Sequence, residues 1–108
     1  MILEAAMLKV RAEEQSAFEA AMRQAAPVIA SAAGYQGHQL QRCVETKGRY
    51  LLLVRWETLE AHTVGFRQSA AFLEWREMIG QFFEETPVVE HYVCSLRWPA
   101  KSSGNTVS

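Results

Sequence analysis

Aspartate is absent from this 108-residue sequence, and asparagine occurs only at Asn105. All 12 acidic residues are therefore glutamates. Calcium loops and carboxylate-rich magnesium sites depend heavily on aspartate, and many acid–base pairs in enzymes use it. The composition argues against sites of these kinds and directs attention to the histidines and the aromatic residues.

The sequence also has no excess of positive charge and no long apolar run. Eleven Lys and Arg residues oppose the 12 glutamates and form no basic cluster, so a nucleic-acid partner is not expected. No apolar run approaches the roughly 20 residues that span a bilayer. The first 11 residues lack the basic start of a signal peptide. We therefore expect a cytoplasmic protein with no membrane partner.

Cysteine is scarce too. Cys43 and Cys94 lie in apolar runs without a CxxC or His spacing, which predicts buried free thiols in a reducing compartment. The three histidines come from different predicted elements, and no pair has the i, i+4 spacing of a helical metal site. No bound metal is predicted.

Hydrophobic periodicity divides the chain into six elements, and 49% apolar residues suffice for one core. The apolar segment from Ile2 to Val10 predicts a strand. A helical repeat follows over Glu13–Ala33, with a kink or break expected at Pro27 and an end at Gly34.

The rest of the chain predicts two strands, a helical region and a last strand. Two β-prone runs joined by a short Gly-containing loop, His38–Glu45 and Arg49–Glu57, predict a hairpin. A helical region follows in two pieces, Leu59–Phe66 and Ser69–Phe83, with Thr58 and Ser69 as N-caps. Val88–Leu96 reads as the last strand.

The resulting βαββαβ order is typical of the ferredoxin-like α+β fold, a four-stranded antiparallel sheet with both helices on one face. We expect one domain over residues 1–98 and a disordered polar tail over residues 99–108. The third strand is apolar at both parities, so the open sheet face should pack on a second copy. These features predict a homodimeric α+β barrel with a ligand cavity between each sheet and its helices.

Three stretches resemble the antibiotic biosynthesis monooxygenase (ABM) family. They are Trp56-Glu57-Thr58-Leu59-Glu60-Ala61-His62, the run from Gly65 through Phe72 to Trp75-Arg76, and Pro87-Val88-Val89-Glu90-His91-Tyr92. The resemblance implies a dimeric α+β barrel. It also implies oxidation of anthrones or quinols to quinones by O₂, with neither metal nor flavin. Other relatives degrade haem, and others have no known substrate.

Haem-degrading relatives use an Asn on the first strand and a Trp and a His on the second helical region. The resemblance aligns the Asn with Ala6 and the Trp with Phe66, and it sets the His at or beside Arg76, which follows Trp75. None of the three residue types is present, which argues against that mechanism.

His62 is the candidate catalytic residue, because an imidazole can take a proton from a phenol near neutral pH. The alternative is a histidine that bonds backbone or solvent at a helix end. His91 is a candidate for orienting a substrate oxygen, or else a structural histidine on a sheet face. Candidate substrate-binding residues, besides His91, are Trp56, Phe66, Phe72, Trp75 and Arg76.

Aromatic residues at helical spacing also form ordinary cores, so each ring has a structural alternative. Arg67 and Arg76 could stabilise an anionic oxygen or pair with Glu74 or Glu77 on a solvated helix face. Three functions follow: a cofactor-free monooxygenase acting on a small phenolic, quinol or anthrone-like aromatic with O₂, a non-catalytic dimer that binds or senses a small ligand, and a haem-binding relative.

Overall fold

The computed structural model describes residues 1–100 and has the predicted βαββαβ order. The strands are β1 (Ile2–Lys9), β2 (Tyr35–Arg42), β3 (Arg49–Trp56) and β4 (Val88–Tyr92). The main helices are α1 (Gln15–Ala30) and α2 (Ala70–Ile79). A π-helical segment spans Ala61–Phe66, and single 3₁₀ turns lie at Ala12–Glu14 and Gly80–Phe82.

The four strands form one antiparallel sheet in the order β2-β3-β1-β4. Alternate residues of β1 and β3 point towards the helices, and these are the buried ones. They pack with Phe18, Met22 and Ile29 of α1 and with Trp75 and Ile79 of α2 in a single core. The predicted fold class, a ferredoxin-like α+β fold with the helices on one face, is confirmed.

The opposite face of the sheet carries the other set of side chains, which we call the outer face. Its apolar members are Leu3, Ala5, Met7, Leu51, Leu53, Val88 and Tyr92. Met7, Leu51, Val88 and Tyr92 are 37%, 38%, 54% and 50% exposed. The predicted pairing of two such faces in a homodimer stays a prediction.

Helix α1 is shorter than predicted and continues past its proline. Pro27 lies inside the helix, which ends at Ala30, so the expected break is absent. Gly34 does adopt a positive φ of 83°. It uses this conformation four residues beyond the helix, in the turn into β2, where a Cβ would lie 2.7 Å from the Cβ of Ala61.

The last strand is also shorter than the predicted Val88–Leu96. Tyr92 pairs with Leu3, so β1 offers almost no backbone for pairing beyond that point. Cys94 follows the strand and is exposed, and Cys43 is half-buried. The prediction that both thiols are buried was therefore wrong, although both cysteines are free.

Within residues 1–100, no helix is long and apolar enough to cross a membrane. The tail predicted over residues 99–108 lies almost entirely outside the described residues, and the boundary at residue 98 stays a prediction.

Candidate functional site

An open cavity of about 630 Å³ lies between the sheet and the second helical region. Its apolar lining comprises Ala6, Leu8, Phe72, Trp75, Ile79, Phe83, Pro87 and Val89. Its polar lining comprises Glu4, His62, Arg67, Arg76, Glu85 and Thr86. The volume falls in the range of small-molecule sites, and the mixture of apolar walls with a few polar groups is typical of them.

Four of the predicted site residues line this cavity: His62, Phe72, Trp75 and Arg76. Trp56 and Phe66 lie behind the wall and are 0% and 2% exposed. Each is part of the core. Of the aromatic candidates, Phe72 and Trp75 therefore line the cavity. The other two, Trp56 and Phe66, have the structural role that was the alternative for each ring.

The two core aromatics hold the wall in place. Trp56 stacks on the His62 ring, with centroids 5.2 Å apart and planes 18° from parallel. Phe66 lies 5.6 Å from Trp56 and makes edge contacts with Phe72 and Trp75. Because these rings are packed on several sides, His62 and Trp75 have little freedom to turn.

The π-helical segment sets the position of His62. The Thr58 hydroxyl oxygen accepts the Ala61 N–H at 3.1 Å, as predicted for an N-cap. The Arg67 N–H donates to the His62 carbonyl oxygen at 2.9 Å, which is the i to i+5 bond of a π-helix. The wider turn leaves both His62 and Phe66 buried. Such turns are frequent at functional sites.

His62 connects two further polar side chains. Its Nδ1 lies 2.8 Å from Nε2 of His91, which is half-buried on β4. Its Nε2 lies 3.3 Å from Oε1 of Glu4 on β1. That same Oε1 accepts the indole N–H of Trp56 at 2.9 Å. Glu4 and His91 are direct cross-strand partners, so β1 and β4 place both beside His62.

Burial shifts the acid–base behaviour of this group. Glu4 is 6% exposed and His62 is 3% exposed. Desolvation raises the pKa of Glu4, while the Trp56 hydrogen bond and the Arg67 charge oppose that rise. Desolvation lowers the pKa of His62 to about 4, and His91 and Arg67 contribute to that lowering. His62 is therefore a neutral imidazole near pH 7.

Glu4 is a site residue that reasoning from the sequence did not select. The usable signal was its position on the first strand. Glu4 lies on the same side of that strand as Ala6, Leu8 and Val10, all of them buried. An acid in register with a buried apolar face needs a polar partner. The identity of that partner depends on the folded structure, because His62 is far away in the sequence.

Arg67 and Arg76 are exposed and line the cavity edge. Neither forms an ion pair within 4.0 Å among residues 1–100, so the expected pairing of Arg76 with Glu74 or Glu77 is not formed there. The positive charge of Arg67 acts to lower the pKa of both Glu4 and His62.

The described part of the chain contains no group of three or more His, Cys, Asp or Glu residues placed to hold a metal ion. Of the positions that haem-degrading relatives use, Ala6 and Arg76 line the cavity and Phe66 lies behind it. The resemblance sets Arg76 at or beside the iron-ligand position, and a guanidinium remains protonated in proteins and offers no lone pair.

Comparison with known proteins gives a consistent set of relatives. The model of the family "Antibiotic biosynthesis monooxygenase" matches residues 1–78. The uncharacterised protein YczJ of Bacillus subtilis (strain 168) is 48% identical over 92 residues, covering 85% of this chain and 97% of YczJ.

Several solved structures resemble this fold, among them a pair of contrasting sequence identity. One, from Bordetella bronchiseptica and provisionally described as an antibiotic biosynthesis monooxygenase, is 43% identical with a TM-score of 0.85. The match covers 88% of this chain and 97% of that one. The other is a mutant of SnoaB from Streptomyces nogalater, a cofactor-independent oxygenase, at 18% identity and a TM-score of 0.74. It covers 92% and 97% of the two chains and shows the shared fold.

Proposed function

This chain belongs to the antibiotic biosynthesis monooxygenase family, and from that premise we propose that it oxidises a small phenolic, quinol or anthrone-like aromatic with O₂ and without a bound cofactor. The observation that carries the proposal is a cavity with aromatic walls and a buried acid–base group, Glu4 and His62, in its lining. The description of SnoaB as a cofactor-independent oxygenase supports the same reaction class.

The cavity suits a flat aromatic substrate. Phe72 and Trp75 offer ring faces or edges, and Ala6 is a small residue on the sheet side. Aromatic side chains bind a flat ring through area burial and through edge or stacked contacts. A substrate lying between α2 and β1 would meet Glu4 and His62 with its hydroxyl or its acidic C–H bond.

The substrate itself supplies the electrons for this reaction. In an anthrone, a CH₂ carbon becomes a C=O carbon and loses four electrons, and O₂ gains four. One oxygen atom enters the product and the other leaves as water, so no external reductant is consumed. The protein needs to bind the substrate, exclude water and assist removal of a proton, and His62 takes part in that last step.

The test is oxygen uptake by chelator-treated protein with a panel of quinols and anthrones, with ¹⁸O₂ to count the oxygen atoms in the product. We expect uptake above autoxidation, one labelled atom in each product formed from an anthrone, and at least a tenfold loss in a His62→Phe variant. The control is Thr63→Ala, on the same segment but outside the cavity lining. Uptake that never exceeds autoxidation, or that His62→Phe matches, contradicts the proposal.

Two other outcomes would redirect the assignment. Ligands that raise the melting temperature without any turnover would indicate a binding or sensing protein. A Soret band on titration with haem would indicate a haem-binding relative. That result would be unexpected, because Ala6, Phe66 and Arg76 replace the residues that haem-degrading relatives use.

We also propose that the protein is a cytoplasmic homodimer that pairs the outer faces of two sheets. The exposed apolar residues of that face support this arrangement, because a monomer would leave them in contact with water. The cavity lies on the other side of the sheet, so pairing leaves it accessible.

A further inference from the structure

The Glu4 carboxylate is held in an asymmetric way. The hydrogen bond from Trp56 and the contact with His62 both fall on Oε1. Oε2 has neither contact, and Glu4 belongs to the cavity lining. A ligand in the cavity would therefore meet Oε2 as the available oxygen of this side chain.

The partners of Oε1 restrict what that oxygen can do. An indole nitrogen can only donate, so Oε1 accepts the hydrogen bond from Trp56. The Nε2 atom of His62 lies 3.3 Å from the same oxygen. The Nδ1 atom of His62 lies 2.8 Å from Nε2 of His91, and one of these two nitrogens donates to the other.

Both ring nitrogens of His62 therefore have a polar neighbour, at 2.8 Å and 3.3 Å, whereas Oε2 of Glu4 has neither of the Oε1 contacts. We infer that Glu4 is the proton acceptor of the proposed reaction, through Oε2, and that His62, Trp56 and His91 are positioning residues. This inference rests on the proposed function for the identity of the substrate. Its geometric basis is the pair of contacts at Oε1.

The proton step balances as follows. An O–H or C–H bond of the substrate breaks, an O–H bond forms at Oε2, and the electron pair stays on the substrate. The electron-rich carbon then combines with O₂, and Glu4 returns its proton to the peroxide oxygen. In an anthrone the O–O bond then breaks, the second hydrogen leaves the carbon, and water and the C=O product form.

The electrostatic surroundings favour Glu4 over His62 as the base. A base works best when its pKa lies near the working pH. Burial raises the pKa of Glu4 towards that range, whereas the pKa of His62 falls to about 4. Arg67, His62 and His91 are the titratable or charged groups that face this carboxylate, and Arg67 stabilises its anion.

The experiment compares Glu4→Gln, His62→Phe and His62→Gln, with Glu13→Gln as a charge-matched control on an exposed turn away from the cavity. Glu4→Gln should lower kcat by about 10²–10⁴ with little change in KM, and the acid limb of the pH profile should disappear. His62→Phe replaces the polar ring beside Oε1 with an apolar one, so its acid limb should move to higher pH. His62→Gln keeps a polar side chain there and should retain more activity than His62→Phe.

The opposite order of effects would overturn the inference. If His62 accepts the proton, both His62 variants lose activity equally and Glu4→Gln is the milder change. Circular dichroism and melting temperatures show which variants fold. Should His62→Phe not fold, the comparison of Glu4→Gln with His62→Gln still decides, because only Glu4→Gln abolishes the acid limb when Glu4 is the base.

An anaerobic measurement separates this inference from the oxidation itself. An anthrone mixed with wild-type protein in the absence of O₂ should show the absorbance of its anion, and Glu4→Gln should not produce it. Equal anion formation in both proteins refutes the role of Glu4. Anion formation by wild type without later oxygen uptake refutes the oxidation and supports Glu4 as the acceptor.

Discussion

His62 illustrates how burial alters the acid–base behaviour of a single residue. In solution an imidazole is half-protonated near pH 6.5, but the buried His62, between Trp56, His91 and Glu4, has a pKa of about 4. The residue chosen from the sequence as a base is therefore a weak base in the folded protein. Its low pKa also has a consequence for stability that needs no substrate.

We predict an acid-side loss of stability that depends on His62. Between pH 6.5 and pH 4 the unfolded chain protonates this residue and the folded chain does not, so the unfolded state binds more protons. Stability from this source is present above pH 6.5 and is lost as pH falls. From pH 7 to pH 4.5 the loss is about 2 kcal/mol.

Urea unfolding of wild type and His62→Gln at these two pH values checks the prediction. The variant should lose about 2 kcal/mol less than wild type on acidification, since groups that titrate alike in both proteins cancel. Glu4 works in the opposite direction, because its raised pKa makes ionisation costly as pH rises. Equal losses in the two proteins would show that His62 stays exposed to protonation in the folded state.

At the scale of elements, a proline inside α1 lowers the stability of the helix, and burial of one helix face offsets that loss. Pro27 is exposed and lies in the last turns of the helix, and it has no N–H for the carbonyl oxygen of Arg23. The helix persists because Phe18, Met22, Ala25 and Ile29 are buried on one stripe. Burial of that stripe stabilises the helix through its contacts with the sheet and α2.

Pro27→Ala should therefore raise the free energy of unfolding by about 1–3 kcal/mol. The substitution restores a backbone donor and removes little buried surface. Gln24→Ala, exposed on the same helix, is the matched control and should change stability by less than about 0.5 kcal/mol. A Pro27→Ala protein no more stable than this control would mean that the proline fits its helix without cost.

The sequence was sufficient for the elements whose side chains repeat with a clear period. The stripe on α1, the central strand β3 and the caps at Thr58 and Ser69 all follow from local patterns. The end of β4 was not predictable, because it depends on where β1 stops. The π-helical segment has no local signature either, since its extra residue per turn is set by packing.

The candidate site was predictable only in part, for the same reason. His62, Phe72, Trp75 and Arg76 line the cavity and come from one continuous region of helical pattern. Glu4 is 58 positions away from His62 in the sequence, and only the sheet brings them together. Non-local contacts of this kind are not encoded in any short window.

At the scale of the whole molecule, the sheet separates the site from the proposed dimer contact. Leu51 lies on the outer face of the sheet opposite Met7, which also pairs with Val88. We predict that Leu51→Lys converts the dimer to a monomer, because two added charges would be buried at the contact. Sedimentation equilibrium measures the change in mass.

Leu73→Lys is the control, since Leu73 is 64% exposed on α2 and lies away from the outer face. This variant should sediment as wild type does. A wild-type protein that is already monomeric, or a Leu51→Lys protein that stays dimeric, would show that the outer face is not the contact.

The alternation along β1 constrains how such a sequence can change over evolution. Leu3, Ala5 and Met7 face outwards, whereas Glu4 and Ala6 face the cavity. Substitutions at alternate positions can therefore alter assembly and chemistry separately. Insertion or deletion of one residue would exchange the two sets at once, so we expect homologues to diverge in this strand by replacement and to keep its length.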